Sequence, residues 1–188
     1  MARLFMMAGG TRKQGRKMAT QDFPNAWEKL ARQEDGHELV VQKLKEIVKS
    51  KYGLETEPLR RIEKDVWIAE KRTLGRTYHH VPHRPDLIIT DDIARPERRV
   101  FVEYVNSEGK NSANFLRDLR GMIALEAIMK IKRLKARKFI LALRDSFAKK
   151  YTGRPFYEYF TTEPLSLHDM LHYLDKGGID RLVGFDQF

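Results

Sequence analysis

Asp86 and Glu103 sit where a fold least tolerates charge. Asp86 follows Pro85 and stands directly ahead of the apolar run Leu87, Ile88, Ile89, while Glu103 lies inside a second apolar run from Val100 to Val105. An ionised carboxylate in a dry interior is costly unless it is paired or holds a metal. Both runs have the length of strands, and side chains alternate along a strand. Asp86 therefore shares a face with Ile88 and Thr90, and Glu103 shares one with Phe101 and Val105. If the two strands pair so that Asp86 lies beside Glu103, both carboxylates converge on one side. Two such oxygen ligands, completed by the Tyr104 backbone carbonyl and waters, suit Mg2+, with Mn2+ as a substitute. An ion held this way lowers the pKa of a bound water and offsets the charge that builds on phosphorus. The chemistry implied is phosphate hydrolysis.

The bulk charge points the same way. The chain has 188 residues, a length that suits one domain. Lys and Arg number 36 against 26 acids, a formal charge of +10, and the pI is near 9.8. That balance favours polyanionic partners, above all DNA or RNA; the other reading is a solvated surface rich in ion pairs. Cysteine is absent, so disulfides and thiolate metal sites are excluded. No apolar run approaches the roughly 18 residues of a membrane span, and the apolar piece Leu4 to Met7 is too short for a secretory leader. The expected compartment is the cytoplasm.

Several elements must position the two acids. Residues 1–22 read as a flexible basic arm, with Arg3, Arg12, Lys13, Arg16 and Lys17 among three glycines. Lys13 and Arg16 are candidates for phosphate or minor-groove contact; a tail without a role is the other reading. Residues 23–188 read as one domain, with a core of about 37–145 and a C-terminal extension over 146–188. Phe23, Trp27, Leu30 and Ala31 have helical spacing, Asp35 and Gly36 mark a break, and Leu39, Val40, Leu44, Ile47 and Val48 form a second stripe that Gly53 ends. Residues 54–62 suggest a strand or bent hairpin partnered by 66–69, with a turn at Gly75. After the two acid-bearing strands, Ser112 is expected to cap a long helix running to about Leu134, and 138–143 read as a buried strand. A last helix is expected over Leu167–Leu174. This order describes an α/β fold, a sheet covered by helices.

Arg84-Pro85-Asp86 followed by Val102-Glu103-Tyr104-Val105, within this order of elements, resembles the PD-(D/E)XK nuclease superfamily. That superfamily includes most type II restriction enzymes and the archaeal Holliday-junction resolvases. The resemblance covers about residues 37–145. It implies a restriction-endonuclease-like mixed central sheet flanked by helices, a metal held by Asp86 and Glu103 with the Tyr104 carbonyl, and hydrolysis of DNA. It also implies an acid from the first helix, for which Glu38 is the candidate and Glu34 the alternative; an acid in a first helical turn also complements the helix dipole. The chain departs from the pattern where the family usually carries a lysine, two residues after the second acid. Valine stands there, at 105, and can neither donate a proton nor carry charge. Lys110 is the nearest downstream replacement, and a histidine is the other.

His79, His80 and His83 cluster ahead of Asp86. Their spacing matches no usual zinc pattern; DNA contact or loop hydrogen bonding is expected of them. Arg117 and Arg120 lie three apart on the long helix and share a face. With Arg72, Arg76 and Arg154 in polar segments, they are the candidate DNA contacts. The expectation is a magnesium-dependent endonuclease acting on double-stranded DNA, most simply a type II restriction endonuclease working as a homodimer. A Holliday-junction resolvase or other structure-selective nuclease is the alternative, and a non-catalytic DNA-binding protein on the same scaffold is a third reading.

Overall fold

The computed structural model describes residues 23–106, 112–136, 138–148 and 161–183. Among the described residues, seven strands and five α-helices follow in the order α1 (Phe23–Ala31), α2 (Gly36–Tyr52), β1 (Glu55–Glu57), β2 (Ala69–Thr73), β3 (Arg76–His80), β4 (Leu87–Thr90), β5 (Val100–Val105), α3 (Ser112–Ile131), β6 (Lys138–Leu143), α4 (Asp145–Ala148), β7 (Thr162–Ser166) and α5 (Leu167–Val183). Five strands form a mixed sheet in the order β1-β4-β5-β6-β7. β1, β4 and β5 run antiparallel to their neighbours, and β5, β6 and β7 run parallel. The fold is α/β, a mixed sheet flanked by helices, as the order of elements predicts.

Strand periodicity sorts the core into two layers. Leu87, Ile89, Val100, Val102, Tyr104, Ile140 and Ala142 point to one face, where α1, α2 and α5 cover them. Ile88, Phe101, Val105, Phe139, Leu141 and Leu143 point to the other, beneath α3 and α4. Both faces are therefore apolar, and β4 and β5 are buried along their whole length. This continuous burial is what a central strand covered on both sides requires.

Several expectations are corrected. The hairpin over 54–69 does not form: β1 instead joins the main sheet against β4, and a single helical turn follows at Leu59–Arg61. The hairpin lies later, between β2 and β3, turning at Gly75. Ser112 is already the first residue of α3 rather than its cap. β7 was not anticipated, because Pro164 sits within it; proline is tolerated there since β7 is the outermost strand. The terminal helix continues past Leu174 through a break at Gly177 and Gly178. The break at Asp35–Gly36 and the left-handed Gly53 (φ 65°) closing α2 are as expected. The arm over 1–22, Lys110 and Arg154 lie outside the described residues.

Candidate functional site

The register of β4 on β5 pairs Leu87 with Val102, so Asp86 falls opposite Glu103. Glu103 continues the α3-facing side of β5 with Phe101 and Val105, whereas Asp86, just ahead of β4, turns its carboxylate to the Tyr104 amide and to His37 of α2. The two residues are thus neighbours across adjoining segments. Asp86 N–H donates to Glu103 Oε2 (3.2 Å), and Tyr104 N–H donates to Asp86 Oδ2 (2.9 Å).

The second contact has a simple origin. β4 begins at Leu87, whereas β5 runs on to Val105, still paired with β6 on its other side. The N–H and C=O of Tyr104 face the gap where β4 has ended, and buried backbone groups need partners. Asp86 supplies the acceptor. The carbonyl accepts from Nε2 of His37 (3.1 Å), which reaches in from α2 and also lies 3.2 Å from Asp86 Oδ2. That contact with Asp86 raises the His37 pKa above its ordinary value, against the opposing effect of burial.

Glu103 is more enclosed than Asp86, with 9% of its side chain exposed against 20%. Burial pushes its carboxyl up, and the neighbouring charges of Asp86 and Asp118 add to this, while His83 opposes. His83 Nε2 lies 3.1 Å from Glu103 Oε2, at ion-pair distance but off hydrogen-bond alignment. Its ring fits against α3 because position 121 is glycine: a Cβ there would stand 2.4 Å from His83 Nδ1. Asp118, on α3, has 7% of its side chain exposed and accepts from Arg117 Nε (2.9 Å). A cleft of about 240 Å3 is lined by His37, Glu103, Asn106, Asn114, Arg117 and Asp118. A second, of about 230 Å3, has Asp86 on its wall with Lys45, Thr56 and Glu57.

The expected residues divide accordingly. Asp86, Glu103 and Tyr104 come together. Glu38 is exposed, and it is its neighbour His37 that touches Asp86; Glu34 is exposed in the turn before α2. Arg117 stands at the cleft, Arg120 is exposed on the same helix, and Arg72 and Arg76 lie on the exposed β2–β3 hairpin. His79 stacks on Trp67 with ring centroids 3.6 Å apart. Val105 is buried in the core under α3. His37, Asp118 and Asn114 were not anticipated.

Asp86 and Glu103 are the residues that could lend oxygens to a hard cation. Among the described residues, Asp86 Oδ1 and Glu103 Oε1 accept no hydrogen bond, which leaves one oxygen of each carboxylate available. No group of three or more His, Asp or Glu is arranged to hold a metal among the described residues. An ion here would rest on two carboxylates, a carbonyl and waters, the partial shell that Mg2+ accepts.

The fold defines an α/β protein with paired acids at the carboxyl edge of its parallel strands. No family model, no curated protein and no solved structure matches the chain. No described helix is long and apolar enough to cross a membrane.

Proposed function

We propose that this protein is a metal-dependent DNA endonuclease that hydrolyses phosphodiester bonds. The observation that carries the reading is the register-fixed neighbourhood of Asp86 and Glu103, with Glu103 on the wall of a cleft. Asp86, Glu103 and the Tyr104 carbonyl would hold Mg2+, or Mn2+ in its place. When bound, the ion supplies an acidified water and offsets charge on the phosphate. Asp86 orients the Tyr104 amide as well, so its position is fixed from both sides. His83, beside Glu103, takes the polar role that Val105 cannot. His37 holds a proton at Nε2 between Asp86 and the Tyr104 carbonyl. Arg117, mostly exposed at the cleft, offers a guanidinium to a phosphate. The charge of +10 supports a polyanionic substrate. Cutting both strands calls for two sites related by a two-fold axis, so a homodimer of the restriction type goes with this reading, in the cytoplasm. Val105 favours a second reading, a scaffold that binds DNA without cutting it.

One assay separates these. The protein is incubated with plasmid and with a four-way junction, in Mg2+ and in EDTA. Discrete plasmid fragments support the restriction type, and paired nicks in the junction support a resolvase. Binding without cutting in any divalent metal supports the second reading. Asp86→Ala is expected to abolish cleavage while leaving DNA binding largely intact; normal cleavage by that variant sinks the proposed site.

A further inference from the structure

We propose that the β2–β3 hairpin is the arm by which this protein grips its duplex: a two-stranded ribbon that lays Lys71, Arg76, Tyr78 and His80 along a groove and drives Leu74 between base pairs. The identity of the ligand rests on the nuclease reading above; the surface itself is independent of it.

The hairpin stands apart from the main sheet, and every residue in both strands is exposed. A two-stranded ribbon without a hydrophobic face is marginal on its own. Among the described residues, this one is braced at its root. There, Trp67 stacks on His79, and the Trp67 carbonyl accepts from Lys132 just beyond α3.

Register sorts its side chains into two faces. Lys71 opposes Tyr78, Ala69 opposes His80 and Thr73 opposes Arg76, which puts these six on one side. That side carries no carboxylate, and among the described residues no ion pair engages Lys71 or Arg76. On the other side Glu70 and Arg72 pair with each other at 3.4 Å and largely cancel. The ribbon therefore has one cationic face with aromatic Tyr78 in its middle, half exposed. Cations beside a flat ring match a nucleic-acid backbone and its bases.

The tip adds an independent observation. Thr73 pairs with Arg76, so the loop is the two residues Leu74 and Gly75, with φ of 51° and 73°. Positive φ at both positions defines the tight turn that suits Asn-Gly or Gly-Gly. A leucine there is sterically disfavoured, and this one is 97% exposed. Neither local backbone chemistry nor burial accounts for it. Insertion into a base step does: apolar side chains of this kind unstack and kink duplexes. The chain leaving β3 at His80 passes through Val81 to His83 on Glu103, so the arm and the acids share one stretch of chain.

The test uses the full chain, in EDTA, on a duplex carrying 2-aminopurine at successive steps. The unaltered protein is expected to raise the probe's fluorescence as a step opens. Leu74→Ala should keep affinity within a few-fold yet lose most of that rise. Lys71→Gln with Arg76→Gln should lower the salt slope by about two and lose about tenfold less affinity between 50 and 200 mM salt. All three positions lie outside both cores, so unchanged thermal unfolding serves as the folding control. If hairpin variants leave affinity, salt slope and fluorescence unchanged in a protein that cuts DNA, the arm is refuted and the nuclease reading stands. Hairpin-dependent binding without cleavage supports the arm and sinks the nuclease. No duplex binding overturns both, and loss of vesicle binding alone in Leu74→Ala would assign the tip to a membrane instead.

Discussion

Gly121→Ala tests the geometry around Glu103 against ordinary helix energetics. In the interior of a helix, glycine to alanine stabilises by about 1 kcal/mol. Gly121 lies midway along α3, yet an added Cβ would stand 2.4 Å from His83 Nδ1, 2.8 Å from Cγ and 3.1 Å from Cε1. These are atoms of a rigid ring rather than the loose end of a long side chain. The ring must therefore leave, giving up its 3.1 Å approach to Glu103. Forcing an extra methyl into a packed site costs about 1–3 kcal/mol. The net effect is expected to run from neutral to a loss of about 2 kcal/mol. In a His83→Ala background the obstructing ring atoms are gone, and the same substitution should stabilise by the full ~1 kcal/mol. The coupling between the two sites is then about 1–3 kcal/mol, large enough for a double-mutant cycle by urea unfolding. Equal stabilisation in both backgrounds would mean that His83 does not lie against α3, and its assignment beside Glu103 would fall with it.

Other expectations concern the buried acids. Glu103→Gln removes a charge that burial, Asp86 and Asp118 all disfavour. A carboxyl whose pKa is raised on folding contributes stability below its ordinary value and loses it as pH rises through the raised one, so at pH 7 this variant should show a higher urea midpoint while losing cleavage and Mn2+ binding. Glu126 accepts from Thr161 N–H (2.6 Å), Thr162 N–H (3.0 Å) and Thr162 Oγ1 (2.8 Å), and so pins the start of β7 to α3. Burial pushes its carboxyl up, but Lys130 and these donors more than reverse that, so it titrates below its usual range. Its contribution is present above the ordinary carboxylate value and is lost as pH falls through the depressed one; Glu126→Ala should cost about 2–4 kcal/mol at neutral pH, and the gap to the unaltered protein should narrow in unfolding curves near pH 3. Glu28→Gln withdraws the carboxylate 2.5 Å from buried Arg144 and should cost about 2 kcal/mol in the same assay; no change would mean that the pair does not persist in solution.

How much of this was legible depended on how a polar residue within an apolar stripe was treated. The two acid-bearing strands and the side that Glu103 takes follow from period-two alternation alone, because an acid flanked by Phe101 and Val105 has only one face to occupy, whereas Asp86 stands ahead of β4 and turns to His37 instead. His37 was missed in favour of Glu38, although His37 stands four residues before Val41 and seven before Leu44, both buried on the sheet-facing stripe of α2. One step along a helix turns about 100°, enough to carry Glu38 into solvent. Asp118 was missed in the same way. It is three after Phe115 and four before Met122, on the buried stripe of α3, and the basic residues beside it drew the reading to the helix surface. β7 was illegible for another reason: with Pro164 and Glu163 inside it, nothing local marks a strand, and only its pairing to β6 makes one.

Val105 connects these observations. It faces the same side as Glu103 and packs with Phe115 and Leu119 beneath α3, so a lysine there would have its amine under a helix unless the helix moved. Polar groups beside the acids must therefore come from off the strand. His83 enters through the space that Gly121 leaves in α3, and His37 enters where the late start of β4 leaves Tyr104 unpaired. Both routes rest on an omission, of a side chain in one case and of a strand residue in the other. The cluster that results sets Asp86, Glu103 and Asp118 against one permanent cation, Arg117. A local excess of negative charge inside a chain of +10 is a costly inversion for a fold to maintain. A divalent ion held between Asp86 and Glu103 would offset it. Raising Mg2+ should therefore stabilise the unaltered protein against urea more than Asp86→Ala; equal stabilisation of both would leave the charge inversion unexplained by metal binding.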